Sequence, residues 1–505
     1  MLLYGWLQKA AKARGGTKSL IYRDTYLSWR GLAHRVDRRA DEFAAAGVRP
    51  GDLVGLMLGN VPDFIILSLA LSRLKAAPLP LDPTASSREL EMLMAKVPLR
   101  GLITRPRGGE GAQATASSTQ APAPSAPAPA PTATPAGKGS RRRAVPESRR
   151  RLQGTLLSCS IFGVDARPVP KKAEDQTCAV LVTADSAGDP KPVERTAANL
   201  LAEAQHLAQA LELTEEDRAL LTVPLFHSFG FDVGMAACFF AGATIYLEDE
   251  IAANRIAKLV RDQKITLLPG TLTLFAEMGR LPASRPLSHK PIRFVSLGGG
   301  LTGAALESFR EKYGVRPMSC FHTTETGTVS LDARGQNGDS VGKSLEGVEL
   351  RVADPKTDKP LAAGKLGALW VKSDAISPLK LGTSPGSSKS APSGTRDAAG
   401  YFRTGDLASL DRSGRLVLAG REDDLVRLDG KRVALGEVEG CIEAFPKVSA
   451  AQAQVITDPL GGPMVVARVV MKDKMSVDPE AIIDHCARNL APYKVPRRIE
   501  ICDAL

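Results

Sequence analysis

The sequence predicts an α/β protein, with a large N-terminal domain of layered sheets and helices and a smaller C-terminal α+β domain. Short apolar runs of strand length alternate with segments of helical period, the pattern of buried, largely parallel strands joined by helices. Past Gly420 the units shorten, and a turn signal stands at Asp429-Gly430. At 505 residues the chain also exceeds what one hydrophobic core usually serves.

Taken in order, Ser28 is placed to cap a helix whose apolar positions Leu32, Val36, Ala40 and Phe43 recur at helical spacing, ending at Gly47. The turn Pro50-Gly51 precedes a short strand, Leu53 to Leu58; a helix from about Asp63 to Lys75 and a strand near Leu79 follow. Further on, Ala179 to Val182 reads as a strand, Ala197 to Leu211 as a helix and Ala219 to Val223 as another strand. The last part reads as a hairpin, a helix from Leu435, two strands, a helix to Leu490 and a final strand. The expected divisions are 1–104 and 152–422 for the large domain, 105–151 for an insertion and 423–505 for the small domain.

The insertion accounts for most of the net charge of +11: residues 105–151 hold nine basic and two acidic side chains. From Gly108 to Gly139 it is almost only Ala, Pro, Ser, Thr, Gly and Gln, too poor in apolar surface to fold and stiffened by proline. It reads as an inert loop, with an arginine tether to lipid or nucleic acid as the alternative. Because the charge belongs to one segment and not to a folded face, no specific nucleic-acid partner is expected. The stretch 382–399, rich in Ser, Gly and Pro, reads as a surface loop.

Hydrophobic content of 43% and charged content of 24% are ordinary globular values. The apolar stretch at Phe64 to Leu71 is too short to cross a bilayer, and the N-terminus shows no signal-peptide pattern. Seven dispersed cysteines read as reduced, buried thiols, which gives a cytoplasmic expectation. Six histidines without HxxxH or HExxH spacing do not support a metal site built from protein ligands.

The chemistry is concentrated in several segments. Leu181 to Val193, LVTADSAGDPKPV, is a strand feeding a loop of small residues with one lysine, able to offer amide, hydroxyl and ammonium donors to phosphate. It lacks the GK[ST] ending of a Walker loop, and alone it reads equally as a plain turn. PLFHSFGF (224–231), LGGGLTG (297–303), CFHTTETG (320–327), VGKSLEGVELRV (341–352), the run from Gly400 to Asp423, and LDGKRVALGEVE (428–439) follow in that order.

In this order and spacing the sequence resembles the adenylate-forming superfamily of acyl-CoA synthetases, firefly luciferase and peptide-synthetase adenylation domains, from about Ser28 to Leu505. The resemblance implies the adenylate-forming fold and a phosphate loop at Thr183 to Lys191, with Thr183, Ser186, Gly188 and Lys191 on the phosphates. It implies that the Thr324 hydroxyl touches phosphate and the Glu325 carboxylate holds Mg²⁺. Phe321 would stack on adenine and Asp406 would accept both ribose hydroxyls. Arg421 would contact ribose and phosphate, and Asp423 would be the hinge. Gly299 and Gly300 would line the acyl and adenine pockets, and His227 would be the aromatic gate of acyl and aryl ligases. ATP, Mg²⁺, a small carboxylic acid, and coenzyme A or a carrier phosphopantetheine are the implied cofactors and partners. Attack of a carboxylate on the α-phosphate builds negative charge, which is why metal, lysine and amide donors are needed around it.

The sequence departs from the family pattern in three places. Ala184, Asp185, Ala187 and Pro192 replace a Ser, a Gly, a Thr and a Gly of the phosphate loop; a missing hydrogen bond to a charged group costs about 1.5–3 kcal/mol. His322 stands where the family has Gly, which implies a reshaped acyl pocket. Ala491 to Glu500 matches the lead-in to the family's C-terminal motif, but its catalytic lysine does not follow, and Lys494 and Lys431 stand at other positions. The leading expectation is an acyl-CoA or acyl-carrier synthetase, impaired in adenylation, acting on a fatty or other apolar acid. A non-catalytic member that binds nucleotide, acyl-adenylate or a protein partner is the alternative. Asp232 raises a further one, amino-acid adenylation, although it reads more simply as a structural or solvent-facing residue.

Overall fold

The computed structural model describes residues 2–105, 148–152, 157–162, 169–184, 190–282, 292–298, 303–333, 340–378, 395–421, 426–428, 431–433, 435–458, 462–471 and 478–502. Among them, nine strands form one mixed sheet. Its centre is parallel: Arg218–Leu221 lies between Thr244–Leu247 and Leu267–Gly270, and beyond the latter come Arg293–Leu297 and Met318–Thr323. Antiparallel strands close both edges, Gly327–Leu331 and Lys343–Ser344 on one side and Thr25–Ser28 on the other. A five-stranded sheet is built around Leu53–Met57, flanked in parallel by Ala77–Leu81 and Leu99–Thr104. Leu53–Met57, Ala77–Leu81 and Arg293–Leu297 are buried along their whole length, as strands covered on both faces are.

Local signals act where the sequence places them. Ser28 caps the helix Trp29–Ala45 by accepting from the Gly31 amide at 3.1 Å, and Leu32, Val36, Ala40 and Phe43 on that helix are buried. Pro62 opens the next helix, Pro62–Arg73, where its missing amide proton costs nothing. The N-terminal helix Leu2–Arg14, which the periodicity reading passed over, buries Leu3, Leu7 and Ala10 in the main core.

Two differences from the sequence reading concern the insertion and the phosphate loop. Ser148–Arg151, expected inside the insertion, is an edge strand paired antiparallel with Ser158–Ile161. Residues 106–147, and so the rest of the insertion, lie outside the described residues, as do most of the 382–399 loop and the turn at Asp429-Gly430. The phosphate-loop strand does not stand alone: Thr177–Ala184 forms an antiparallel pair with Pro190–Thr196. A four-stranded antiparallel sheet follows, of Glu349–Ala353, Gly367–Lys372, Phe402–Leu410 and Leu416–Arg421.

The small domain has its own core, with Val438, Ile442, Val465, Val469, Ile482 and Cys486 buried together. Its three-stranded sheet pairs Val448–Asp458 with Gly462–Met471 antiparallel and the latter with Arg498–Cys502 in parallel. Helices Leu435–Glu443 and Pro479–Asn489 complete it. Six of the seven cysteines are buried, Cys502 is half-buried, and none is in a disulfide among the described residues. No helix among the described residues is long and apolar enough to cross a membrane.

Candidate active site

The paired strands Thr177–Ala184 and Pro190–Thr196 hold Thr183 directly opposite Lys191. Lys191 reaches across to the turn after the strand Met318–Thr323, where its Nζ lies 3.4 Å from Glu325 Oε1. That turn is tightly specified. Thr326 donates its amide to Thr323 Oγ1 at 3.1 Å, and Gly327, at φ +70°, reverses the chain into Gly327–Leu331. A β-carbon at Gly327 would stand 2.2 Å from Glu203 Oε2, so both conformation and space require glycine there. The Glu325 carbonyl accepts from the Ser377 amide at 2.8 Å, which ties the turn to the segment leaving the four-stranded sheet.

Thr183, His227 and Thr324 line one cleft, whose apolar wall includes Leu81, Leu93 and Leu297. His227 stands just ahead of a buried π-helical segment, Gly230–Ala236, and its Nδ1 accepts from the Phe229 amide at 3.2 Å. His227 and Ser228, just before this segment, both line the cleft. The small domain contributes to the same cleft through Tyr493 and Lys494, with Lys494 Nζ 2.9 Å from Glu89 Oε1. Lys494 is thus a cleft residue, which its position in the sequence did not suggest.

Behind the cleft lies a buried charged cluster. Arg195 Nη2 is 3.2 Å from Asp232 Oδ2, and both side chains are fully buried. Glu203, on the helix Ala197–Ala210, accepts from the Thr328 amide at 2.8 Å. His322 stands between the carboxylates, Nδ1 3.9 Å from Glu203 Oε1 and Nε2 3.9 Å from Asp232 Oδ2. Burial, then the charge of Asp232, pushes the Glu203 carboxyl up to about 8, and burial pushes Asp232 up to about 6 while Arg195 opposes it. Asp232 is therefore a structural residue, buried as a partner in an ion pair and not facing solvent. His322 occupies the cleft wall, as a side chain in place of glycine must. Arg195 and Glu203 were missed, although position 203 falls three residues after Leu200 and four before Leu207 on the helix's buried face.

The other expected residues divide. Asp406 and Arg421 face each other on adjacent strands, paired in register, with Arg421 Nη1 donating to Asp406 Oδ1 at 3.3 Å; both are almost fully buried. Phe321 is completely buried in the main core, and the structure does not bring it to the cleft wall. Ser186, Gly188, Gly299, Gly300 and Asp423 lie outside the described residues, as do Asp185 and Ala187.

The chain as a whole resembles known proteins from end to end. A probable CoA ligase of Humulus lupulus is 25% identical, covering 100% of this chain and 93% of that protein. A feruloyl-CoA synthase of an Amycolatopsis species is 25% identical over 100% of this chain and 95% of its own, and a 2-succinylbenzoate–CoA ligase of Listeria innocua 25% over 99% and 95%. Among solved structures, the amide bond synthetase of Marinactinospora thermotolerans superposes with a TM-score of 0.77 at 20% identity, covering 99% of this chain and 96% of that one. The o-succinylbenzoate CoA synthetase of Bacillus subtilis gives 0.76 at 21%, covering 99% and 95%. These two share the adenylate-forming fold with this chain. Residues 437–505 match the AMP-binding enzyme C-terminal domain. With residues 7–378 matching the AMP-binding enzyme family, the chain belongs to that family.

Proposed function

We propose that the protein is an AMP-forming acid–thiol ligase. It would activate a carboxylic acid with ATP to an acyl-adenylate and pass the acyl group to the thiol of coenzyme A or a carrier phosphopantetheine. The observation that carries this reading is the Lys191–Glu325 pair beside Thr324, at the cleft that His227 and the small domain share. Lys191 supplies fixed positive charge where a pentavalent phosphorus would develop negative charge. The Asp406–Arg421 pair suits a ribose, because a carboxylate held by a guanidinium keeps lone pairs for two hydroxyl donors.

Glu325, an almost fully buried carboxylate among hydroxyls, has the oxygen-donor chemistry that a hard cation takes. It would hold Mg²⁺, which would neutralise phosphate charge. The apolar wall of Leu81, Leu90, Leu93, Val182, Phe226 and Leu297 fits an acid with an apolar body, fatty or aromatic. The curated relatives that resemble this chain include ligases named for feruloyl and succinylbenzoate groups, which supports aryl as well as acyl substrates.

The test is acid-dependent ATP–pyrophosphate exchange with Mg²⁺ across acetate, medium and long fatty acids, hydroxycinnamates, benzoates and amino acids. Exchange with one class of acid, followed by thioester formation when coenzyme A is added, is the expected result. Exchange that requires an α-amino group would replace this reading with amino-acid adenylation. ATP binding without exchange for any acid would replace it with a nucleotide-binding protein.

A further inference from the structure

The charged cluster behind the cleft is connected to it by a row of hydrogen-bonding groups. His322 Nε2 lies 3.1 Å from Ser228 Oγ, and Thr324 Oγ1 donates to the same Ser228 Oγ at 3.1 Å. On its other side, His322 Nδ1 lies 3.1 Å from Thr328 Oγ1. All four side chains are buried or nearly so, and Ser228, His322 and Thr324 all line the cleft.

The ligand atoms of Glu203, Asp232 and His322 lie within 4.8 Å of one another, a spacing that a metal ion would also fit. The geometry argues for protons instead. The two ring nitrogens face different carboxylates, Nδ1 toward Glu203 and Nε2 toward Asp232, so no single nitrogen points between both. The positive charge in the cluster is already supplied by Arg195 on Asp232. Asp232 Oδ1 and Oδ2 accept no hydrogen bond among the described residues. An ionised carboxylate on the Nε2 side favours the tautomer with its hydrogen on Nε2, while the Thr328 hydroxyl is free to donate to Nδ1.

We propose that His322, acting through Ser228, is a positioning residue that sets the direction in which the Thr324 hydroxyl donates, and that it presents this hydroxyl to an anionic phosphate oxygen in the cleft. Thr324 donates its only proton to Ser228. An arriving phosphate needs that proton. Ser228 has one proton and two lone pairs, so it can turn to donate to Thr324 while accepting from His322 Nε2–H. The row then runs from His322 to Ser228 to Thr324 to the phosphate oxygen, with every hydroxyl satisfied and no proton leaving the protein. Without a donor at position 322, Ser228 would lose its own partner in turning, and the buried row would resist the change. Asp232, paired with Arg195, sets a negative charge 3.9 Å behind Nε2. The inference rests on the proposed function only in placing the phosphate at Thr324.

The test measures binding of ATP and of adenosine separately, by calorimetry with Mg²⁺, since adenosine lacks the phosphates. His322→Leu and Ser228→Ala are each expected to weaken ATP about tenfold and to leave adenosine unchanged. His322→Gln, whose amide nitrogen takes the place of Nε2, is expected to return ATP affinity to within about twofold of the wild type. The double variant Ser228→Ala/His322→Leu is expected to be no weaker than either single one, because one row is broken once. Equal losses for ATP and adenosine, unchanged ATP affinity, or failure of the glutamine to restore it would each overturn the proposal. Absence of pyrophosphate exchange in a wild type that prefers ATP to adenosine would count against the ligase reading and leave this one standing.

Discussion

Glu203 is a carboxylate on the buried face of a helix, faced by Asp232 from the π-helical segment, Arg195 from the strand Pro190–Thr196 and His322 from the strand Met318–Thr323. Its carboxyl is raised from an ordinary 4.5 to about 8, so the folded protein keeps a proton that the unfolded chain releases. Stability from this group is complete below about pH 4.5 and is lost as pH rises through about 8. Replacing it with an uncharged isostere removes that loss. Glu203→Gln is expected to match the wild type in denaturant midpoint near pH 4.5 and to exceed it at pH 8.5. A wild-type advantage at pH 8.5 would show that the carboxylate is stabilised ionised. Arg195→Leu acts in the opposite sense, because it strands an ionised Asp232 in the core; breaking such a pair costs about 3–5 kcal/mol, read as a lower midpoint at pH 8.5 that recovers toward pH 4.5, where Asp232, raised to about 6, is protonated. Of this cluster, sequence reasoning saw only Asp232 and His322, and saw them singly. A lone charged residue in an apolar pattern has several ordinary explanations, and only the fold brings four of them from separate segments to one place.

At the scale of elements, the segment Gly230–Ala236 begins just after His227 and Ser228 of the cleft. A β-carbon at Gly230 would lie 2.2 Å from the Pro224 carbonyl oxygen, a backbone atom that cannot step aside. Gly230→Ala must therefore shift the chain around His227 and Ser228, at a cost of about 1–3 kcal/mol for overpacking. A lower denaturant midpoint together with weaker ATP binding is expected; a midpoint within error of the wild type would show that the segment yields freely. This element was invisible in the sequence, since PLFHSFGF reads as an apolar turn and π-helical geometry has no period of its own. Other helices were legible from their apolar spacing, and the structure shows a local cause at the start of each: a serine cap at Ser28, a proline at Pro62, a capping threonine at Thr196. The strand Pro190–Thr196 was missed for the converse reason. Two prolines and three charged residues hide it, and it forms by pairing with Thr177–Ala184.

Across the whole molecule, the small domain meets the large one at the cleft through Lys494. Its ammonium is almost fully buried, and it sits on the more accessible Glu89, which also closes the capping box of the helix Ser87–Lys96 by accepting from the Ser86 amide at 2.8 Å. An ammonium so placed needs its carboxylate, because a buried unpaired charge is far costlier than the pair is stabilising. The pair therefore ties the orientation of the small domain to a helix of the large one. Water reaches Glu89, so the cost of removing Lys494 is discounted to about 1–2 kcal/mol; the two cores are separate, so the loss falls on docking rather than on folding. Lys494→Ala is expected to leave the two domains folded, to enlarge the radius of gyration in small-angle scattering and to speed tryptic cleavage between the domains. The exchange Glu89→Lys/Lys494→Glu restores the opposite charges and is expected to recover part of the compactness, less than all of it because lysine at 89 cannot accept the Ser86 amide. Unchanged scattering and cleavage in Lys494→Ala would mean that other contacts set the docking, and the lysine would then be a cleft residue only.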